Sequence, residues 1–376
     1  MKFAIKTSSF KKGLDVVNHA TAQVTTTPIL ENILIKVKKG SVVLTANNLE
    51  TAIEYVIQDD IDVSSEGAFC IPSKLFSSYI SLLNDDMIEV ELLDDESVKV
   101  LTSSGKFKVK GLPASDFPLI PNIKEESSFH IDGSTLKAAI DKTLFSCAEG
   151  NIRPTLAGIL VHIAEKQVTF ASTDSFRLSE YTTHIGGNDI ENFHQIIPSK
   201  TTHQLKSIIH DTDSVSVITG ENQIAFSAGN TKIFSRLLNG KFPDYSNFFP
   251  NTFSTKAEID RGDLIQALKK INLISRENNY SIKMSFSPQH GILLETNETQ
   301  IGEGDVQLSG AVEGEENVIG VNSTYFLQAL EVMHTTHIEI RFESPLSPIL
   351  VSPLKDPDKA SSESESYKHI IMPLKI

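Results

Sequence analysis

The chain has 376 residues, 40% hydrophobic and 22% charged, with a formal net charge of −14. That length exceeds the roughly 250 to 300 residues at which a single core stops growing, so two or three domains are expected, and the composition excludes both a disordered tail and a membrane bundle. No apolar run reaches the about 18 residues of a membrane span, the start Met1-Lys2-Phe3-Ala4-Ile5-Lys6 lacks a secretory signal's apolar stretch, and Cys70 and Cys147 are too few to staple the chain, so a cytoplasmic protein with both cysteines buried is expected.

From the N-terminus, Phe3-x-Ile5 reads as a short alternating strand, and Phe10 with Leu14 marks the apolar face of a helix over 9–18. Alternating β-branched runs follow at 33–37, 42–45 and 52–56, separated by turn residues such as Lys39-Gly40-Ser41 and Asn47-Asn48. Ile71-Pro72-Ser73-Lys74 then opens a second helix over 72–83, and Ile88 to Leu92 resumes the strand pattern.

The same signals return at a fixed spacing. Phe129-x-Ile131 with Leu136 and Ile140 lies 126 residues after the first motif, and Ala257-x-Ile259 with Leu264 and Leu268 lies 128 further on. Ile197-Pro198-Ser199-Lys200 repeats the second helix start, and Val321-Asn322-Ser323-Thr324-Tyr325-Phe326 occupies the third such place. The closing segment from Leu112 to Asp116-Phe117-Pro118 is echoed from Leu237 to Lys241-Phe242-Pro243. A period near 125 is a domain rather than a solenoid unit. The spacing predicts three α+β copies, 1–124, 125–253 and 254–376, each with two helices and six to eight antiparallel strands. The remaining helices are expected over 134–147, 198–209, 261–272 and 322–333.

Catalytic signatures are missing: no phosphate-binding glycine loop, dinucleotide fingerprint, nucleophile elbow or paired C-x-x-C occurs, which argues against an enzyme. No cofactor is expected. His334 and His337 lie near each other without a cysteine beside them, so they read as exposed polar residues rather than a metal site. The acidic clusters at Asp59, Asp60 and Asp62, at Asp94, Asp95 and Glu96, and at Glu313, Glu315 and Glu316 read as solvated turns between strands. Charge is unevenly shared. The six expected helices carry a net +6, which leaves −20 for everything else. Lysines gathered on one wall attract a polyanion without regard to sequence, while an acidic exterior repels it.

Several segments resemble one family, the processivity factor of bacterial DNA polymerase III, the β sliding clamp. They are Thr26-x-Pro28-Ile29-Leu30-x-Asn32, Leu112-Pro113-Ala114-x-Asp116-Phe117-Pro118, Arg153-Pro154-x-Leu156-x-Gly158, Thr173-Asp174-Ser175-x-Arg177-Leu178, Phe242-Pro243-Asp244-Tyr245 and Met372-Pro373-Leu374-Lys375, in family order and spacing over essentially the whole chain. The resemblance implies three tandem DNA-clamp domains, two copies of which form a head-to-tail homodimer ring around duplex DNA. Strands would form the outside and helices the hole. Lumen contacts to DNA phosphates would come from Lys11, Lys12, Lys74, Lys137, Arg153, Lys200 and Lys206. Partners would be DNA of any sequence, the clamp loader, the replicative polymerase catalytic subunit and other proteins bearing the clamp-binding motif, with no membrane. The motif would insert apolar anchors into a pocket formed by Leu156, Thr173, Ser175, Phe176, Arg177, Leu178, Pro243, Asn247, Phe248, Tyr325, Pro348, Met372, Pro373 and Leu374. Ring closure would bring Tyr79, Leu83 and Phe107 of one copy to Leu273 and Ile274 of the other.

Three departures from the family pattern stand out. Val24 and Asn247 occupy places where a basic residue can occur, Phe176 takes a place often held by His or Tyr, and the polar stretch 355–366 is expected to be a mobile loop. Two other readings remain: an acidic three-repeat scaffold that binds partner peptides without encircling DNA, and an enzyme whose site is assembled across domains.

Overall fold

The computed structural model describes residues 1–22, 25–120, 123–150, 153–164, 167–185, 193–250, 252–354 and 365–375. Among them are six α-helices: α1 Thr7–Asn18, α2 Ser73–Ser81, α3 Gly133–Thr143, α4 Ser199–Ile208, α5 Arg261–Ser275 and α6 Ser323–Glu331. All six expected helices are present, and with these bounds they still carry a net +6. The strands pair antiparallel throughout, as the hairpin signals implied, and the first repeat holds ten of them rather than six to eight. The excess comes from short pieces such as Ile61–Ser65 and Leu112–Pro113, too brief to show an alternation.

The described residues gather into two compact units, 1–135 with 204–237, and 136–203 with 238–376. In the first, a five-stranded sheet runs in the order 61–65, 2–6, 87–92, 97–101, 106–110. A nine-stranded sheet runs 112–113, 67–72, 32–38, 41–47, 51–57, 231–236, 223–228, 214–220, 127–132. In the second unit a nine-stranded sheet runs 193–198, 158–164, 167–173, 177–184, 366–371, 349–353, 337–342, 255–260, 311–314, and a four-stranded one runs 305–308, 291–296, 281–287, 317–322.

Each nine-stranded sheet is therefore shared by two repeats. In the first, strand 231–236 of the second repeat pairs with 51–57 of the first, and Lys232 stands opposite Glu54. In the second, strand 366–371 of the third repeat pairs with 177–184 of the second, and Lys368 stands opposite Glu180.

The helices lie on the sheets by their apolar stripes. On α1, Thr7, Phe10, Gly13, Leu14 and Val17 are buried, the i, i+3, i+4, i+7 spacing of one face. Phe10 meets Phe3 edge-on at 6.1 Å and Phe76 of α2 at 5.9 Å. Gly13 lets the helix approach the sheet closely, since a Cβ there would sit 2.8 Å from both Leu44 Cδ1 and Tyr55 Cδ1. The Ser of the repeated helix start has a structural role: Ser73 Oγ donates to Asn18 Oδ1 at 2.5 Å, tying the start of α2 to the end of α1, and Ser323 makes the same bond to Asn272 of α5. Asp260 and Asn322 cap α5 and α6 by accepting from the backbone N–H of Asp263 and Thr324, both at 2.9 Å.

Candidate functional site

The most elaborated surface turn is 173–178, which joins strands 167–173 and 177–184. Thr173 Oγ1 donates to the Arg177 carbonyl at 2.6 Å and accepts from the Ser175 N–H at 3.1 Å. Asp174 Oδ1 accepts from the N–H groups of Phe176 and Arg177 at 2.9 and 3.0 Å. Ser175 adopts a left-handed conformation, φ 81°, and the turn holds the Phe176 ring outward, 59% exposed.

Arg177 points inward and is buried. Its Nε bonds Asp174 Oδ2 at 3.0 Å, one terminal nitrogen donates to the Phe145 carbonyl at 2.5 Å, and the other to Gln328 Oε1. The guanidinium also lies 4.5 Å from the Tyr325 ring centroid and 5.4 Å from that of Phe145. A buried cation requires such compensation, and each partner fixes the plane of the fork. Arg177 thus acts as a buttress, with its donors committed within the protein.

Around the turn are two apolar clusters. Leu156 packs with Leu160, Ala171, Ile196 and Phe242, and Leu178 packs with Leu350 and Ile370. Half-buried Tyr245 touches both clusters, and Phe249, Phe253 and Met372 line the second. The Met372 N–H donates to the Phe176 carbonyl at 2.9 Å, and the Leu374 N–H to the Gly320 carbonyl at 2.8 Å, so the C-terminal segment is held against this surface. Pro243, Asn247 and Phe248 are exposed, and Pro348, Pro373 and Tyr325 are half-buried. The result is an apolar cleft with a rigid polar floor, suited to short peptides that carry apolar anchors.

Family models place the fold. The N-terminal domain of the DNA polymerase III beta subunit matches residues 1–121, its central domain residues 130–244 and its C-terminal domain residues 246–375. The chain belongs to the β sliding-clamp family. Among relatives, the beta sliding clamps of Staphylococcus epidermidis and Staphylococcus aureus are 29% and 28% identical over 385 and 386 residues, covering 100% of this chain and 99% of theirs. The sliding clamp of Bacillus subtilis superposes with a TM-score of 0.94 at 25% identity, covering 100% of this chain and 99% of that one. The beta subunit from the DNA polymerase of Streptococcus pyogenes gives 0.93 at 25%, with 100% of both chains covered. As a sliding clamp of DNA polymerase III, the protein is a non-catalytic processivity subunit.

The basic residues assigned to the clamp lumen differ in their surroundings. Lys12, Lys74, Lys200 and Lys206 lie on α1, α2 and α4 and are exposed, while Lys137 on α3 is half-buried. Lys11 is committed elsewhere, its Nζ donating to the Leu83 carbonyl at 2.6 Å just beyond α2. Arg153 donates to the Ser175 hydroxyl, which places it beside the 173–178 turn. Of the ring-contact residues, Tyr79 stacks on Phe107 at 3.9 Å, Leu83 and Ile274 are half-buried, and Leu273 is 69% exposed. Val24 and residues 355–364 lie outside the described residues. Among the described residues, no helix is long and apolar enough to cross a membrane.

Sequence reasoning missed the floor beneath the cleft. His369, fully buried, stands opposite Ser179 in the shared sheet and bonds its hydroxyl through Nδ1 at 2.8 Å. Ser179 meets Ser146 at 2.8 Å, and His369 Nε2 has no hydrogen-bond partner. Burial, and secondarily the Arg177 guanidinium, pulls the His369 pKa down to about 3. The two thiols are buried as expected, and burial pushes Cys70 and Cys147 up to about 12, which leaves both unreactive.

The depressed His369 pKa links stability to pH. Above the ordinary value of 6.5 the ring is neutral in both folded and unfolded chains; between 6.5 and about 3 only the unfolded chain takes up the proton. Stability is therefore fully present above pH 6.5 and falls with acid by up to about 1.4 kcal/mol per pH unit from this group. Urea unfolding of His369→Gln is expected to show a shallower loss between pH 6 and 4 than the parent; equal slopes would refute the assignment.

Proposed function

We propose that two copies of this clamp close head-to-tail into a ring around duplex DNA in the cytoplasm, and that the ring tethers the replicative polymerase and other partners through the cleft of the 173–178 turn. The observation that carries the reading is the segregation of charge: the helices hold a net +6 while the rest of the chain holds −20. Exposed Lys12, Lys74, Lys200 and Lys206 supply weak, exchangeable phosphate contacts that carry no sequence information. Retention then comes from topology, and loose contacts let the ring slide. Loading onto DNA with a clamp loader tests this. The protein is expected to stay on a nicked circle in high salt and to leave within one cutting event once the circle is linearised; equal loss from both would exclude encirclement.

Peptide docking rests on the exposed aromatic rim beside the two apolar clusters. Phe176 and Phe248, 59% and 45% exposed, flank the cleft without contributing to the buried clusters. Replacing both with alanine is expected to weaken a labelled peptide with two apolar anchors by about 10-fold or more, as for interface hot spots, with an unchanged melting temperature. Undiminished binding by fluorescence anisotropy would place the peptide elsewhere.

The ring contact is supported by exposed Leu273 at one of the places that closure needs and by half-buried aromatic residues at the other. Leu273 projects from α5, and stacked Tyr79 and Phe107 present aromatic surface in the first repeat. A heterologous contact of this kind occurs twice in a closed dimer. Leu273→Ala combined with Ile274→Ala is expected to give monomers by sedimentation at micromolar concentration. A dimer of unchanged mass would remove these residues from the interface.

A further inference from the structure

The turn 47–52 of the first repeat matches the 173–178 turn in its surroundings. Strand pairing sets Thr51 opposite Ser235 and Arg177 opposite Ile371. In both places the next N–H closes on the turn: that of Arg236 donates to the Glu50 carbonyl at 3.0 Å, as that of Met372 does to the Phe176 carbonyl at 2.9 Å. One strand further out, Ser235 stands opposite Ile224 and Ile371 opposite Ile349, so Gln223 and Pro348 precede equivalent residues. The closing segments, which repeat from Leu112 to Leu237, set Ile120 and Ile123 where Tyr245 and Phe248 stand. The positions around the apolar cleft therefore recur where the first repeat joins the second.

At this junction they enclose a cavity of about 90 Å³, inside the unit formed by 1–135 with 204–237. Buried Ala52 and half-buried Ile120, Ile123 and Phe234 make its wall apolar, with Ala52 at the place of the larger Leu178. An apolar site of about 150 Å³ holds a benzene ring, so the smaller volume suits one aliphatic side chain rather than an aromatic one. Leu119 and Leu49 also line the cavity and are 92% and 51% exposed, apolar surface that an occupant would shield from water.

The polar groups in the lining select the charge of the occupant. Arg236 stands at the place of Met372, is exposed, and makes no ion pair and no side-chain hydrogen bond among the described residues. Arg177, by contrast, has its donors committed to Asp174, Gln328 and the Phe145 carbonyl. Glu50, the carboxylate in the lining, already interacts within the protein. An unengaged guanidinium beside an aliphatic cavity recognises a carboxylate, which its planar fork can bond through two donors.

We propose that this cavity is a second docking site, which takes a short extended segment of a partner protein in which an aliphatic residue is followed by aspartate or glutamate. The aliphatic side chain enters between Ile120, Ile123 and Phe234, and the carboxylate pairs with Arg236. The cleft beside the 173–178 turn carries Phe248 and Met372 at the places of Ile123 and Arg236, so the two sites select different sequences. Occupation of this site does not depend on whether the other cleft takes peptide.

Methyl NMR of the full chain with labelled isoleucines separates the two sites. The end-blocked peptide Gly-Leu-Asp-Gly, binding at roughly millimolar Kd as a single anchor allows, is expected to shift the Ile120 and Ile123 signals and to leave Ile370 and Ile371 unmoved. Gly-Ala-Asp-Gly is expected to bind about 10-fold or more weaker. Gly-Leu-Asn-Gly with the parent, and Gly-Leu-Asp-Gly with Arg236→Gln, are each expected to lose about 2- to 5-fold, and combining the two changes to cost little more. Unmoved Ile120 and Ile123 signals, or binding equally strong to the Arg236→Gln variant, would overturn the proposal. Shifts confined to Ile370 and Ile371 would also overturn it, while leaving the peptide reading of the other cleft intact.

Discussion

Hydrogen bonding along open sheet edges is the constraint on which the structure depends. A β-strand at an edge exposes a row of unsatisfied N–H and C=O groups, and a repeat that ends in such a strand exposes one at each side. The clamp answers by joining each repeat to the next through backbone pairing. Strand 51–57 takes up 231–236, and 177–184 takes up 366–371, so the sheet runs on across the repeat boundary. Repeats joined in this way are held in register as well as in contact, because a one-residue slip would turn every buried side chain of the joining strand to the wrong face. The cross-strand lysine and glutamate pairs reinforce a register that burial already sets.

The apolar cleft beside the 173–178 turn is a consequence of one such junction. Pairing of 177–184 with 366–371 brings the chain after Ile371 beside the 173–178 turn, where the Met372 N–H can reach the Phe176 carbonyl. The turn belongs to the fold rather than to the cleft alone. In the first repeat Asn48 Oδ1 accepts from the N–H groups of Glu50 and Thr51 at 3.1 and 2.8 Å, as Asp174 does for Phe176 and Arg177, and Leu49 takes the left-handed conformation of Ser175, with φ 72° against 81°. What distinguishes the later turn is its chemistry. Thr51 stands where Arg177 stands, and only the arginine needs Asp174, Gln328 and the Phe145 carbonyl to offset its burial. The same backbone thus serves as a plain hairpin in one repeat and as a braced wall in the next.

Much of this was legible in the amino-acid sequence. Apolar spacing located all six helices, and Pro or Asn before Ser marked the second helix of each repeat, for which the Ser73 and Ser323 bonds to Asn18 and Asn272 give the physical reason. The acidic clusters fall mostly in turns, with Asp60 and Glu96 in left-handed conformations, φ 58° and 57°, whereas Asp62 and Glu313 lie in the adjoining strands 61–65 and 311–314. Edge partners were not legible. Alternation reveals which face of a strand is buried but leaves open which neighbour lies beside it, so sheets shared between repeats had no signature. The floor of the cleft was hidden for a similar reason: His369 lies in a strand of ordinary alternation, and its partners Ser146 and Ser179 are distant in the chain and chemically unremarkable. The hydrogen bonds of Arg153 to Ser175 and of Lys11 to the Leu83 carbonyl were likewise not legible, since each partner is distant in the chain.

A protein of net charge −14 repels DNA on average, so any attraction has to be local. If every lysine on the helices made a fixed phosphate bond, counterion release would hold the protein at one place, and motion along the duplex would require breaking several bonds together. The lysines divide instead. Lys11 is committed to a carbonyl within the fold, while Lys12, Lys74, Lys200 and Lys206 are exposed on the helices. A few dispersed cations lower the energy of a polyanion almost equally at every axial position, and the −20 on the rest of the chain raises it everywhere else. On the ring reading proposed above, such a field would hold DNA near the helices without fixing it there, which is what a tether that must move requires.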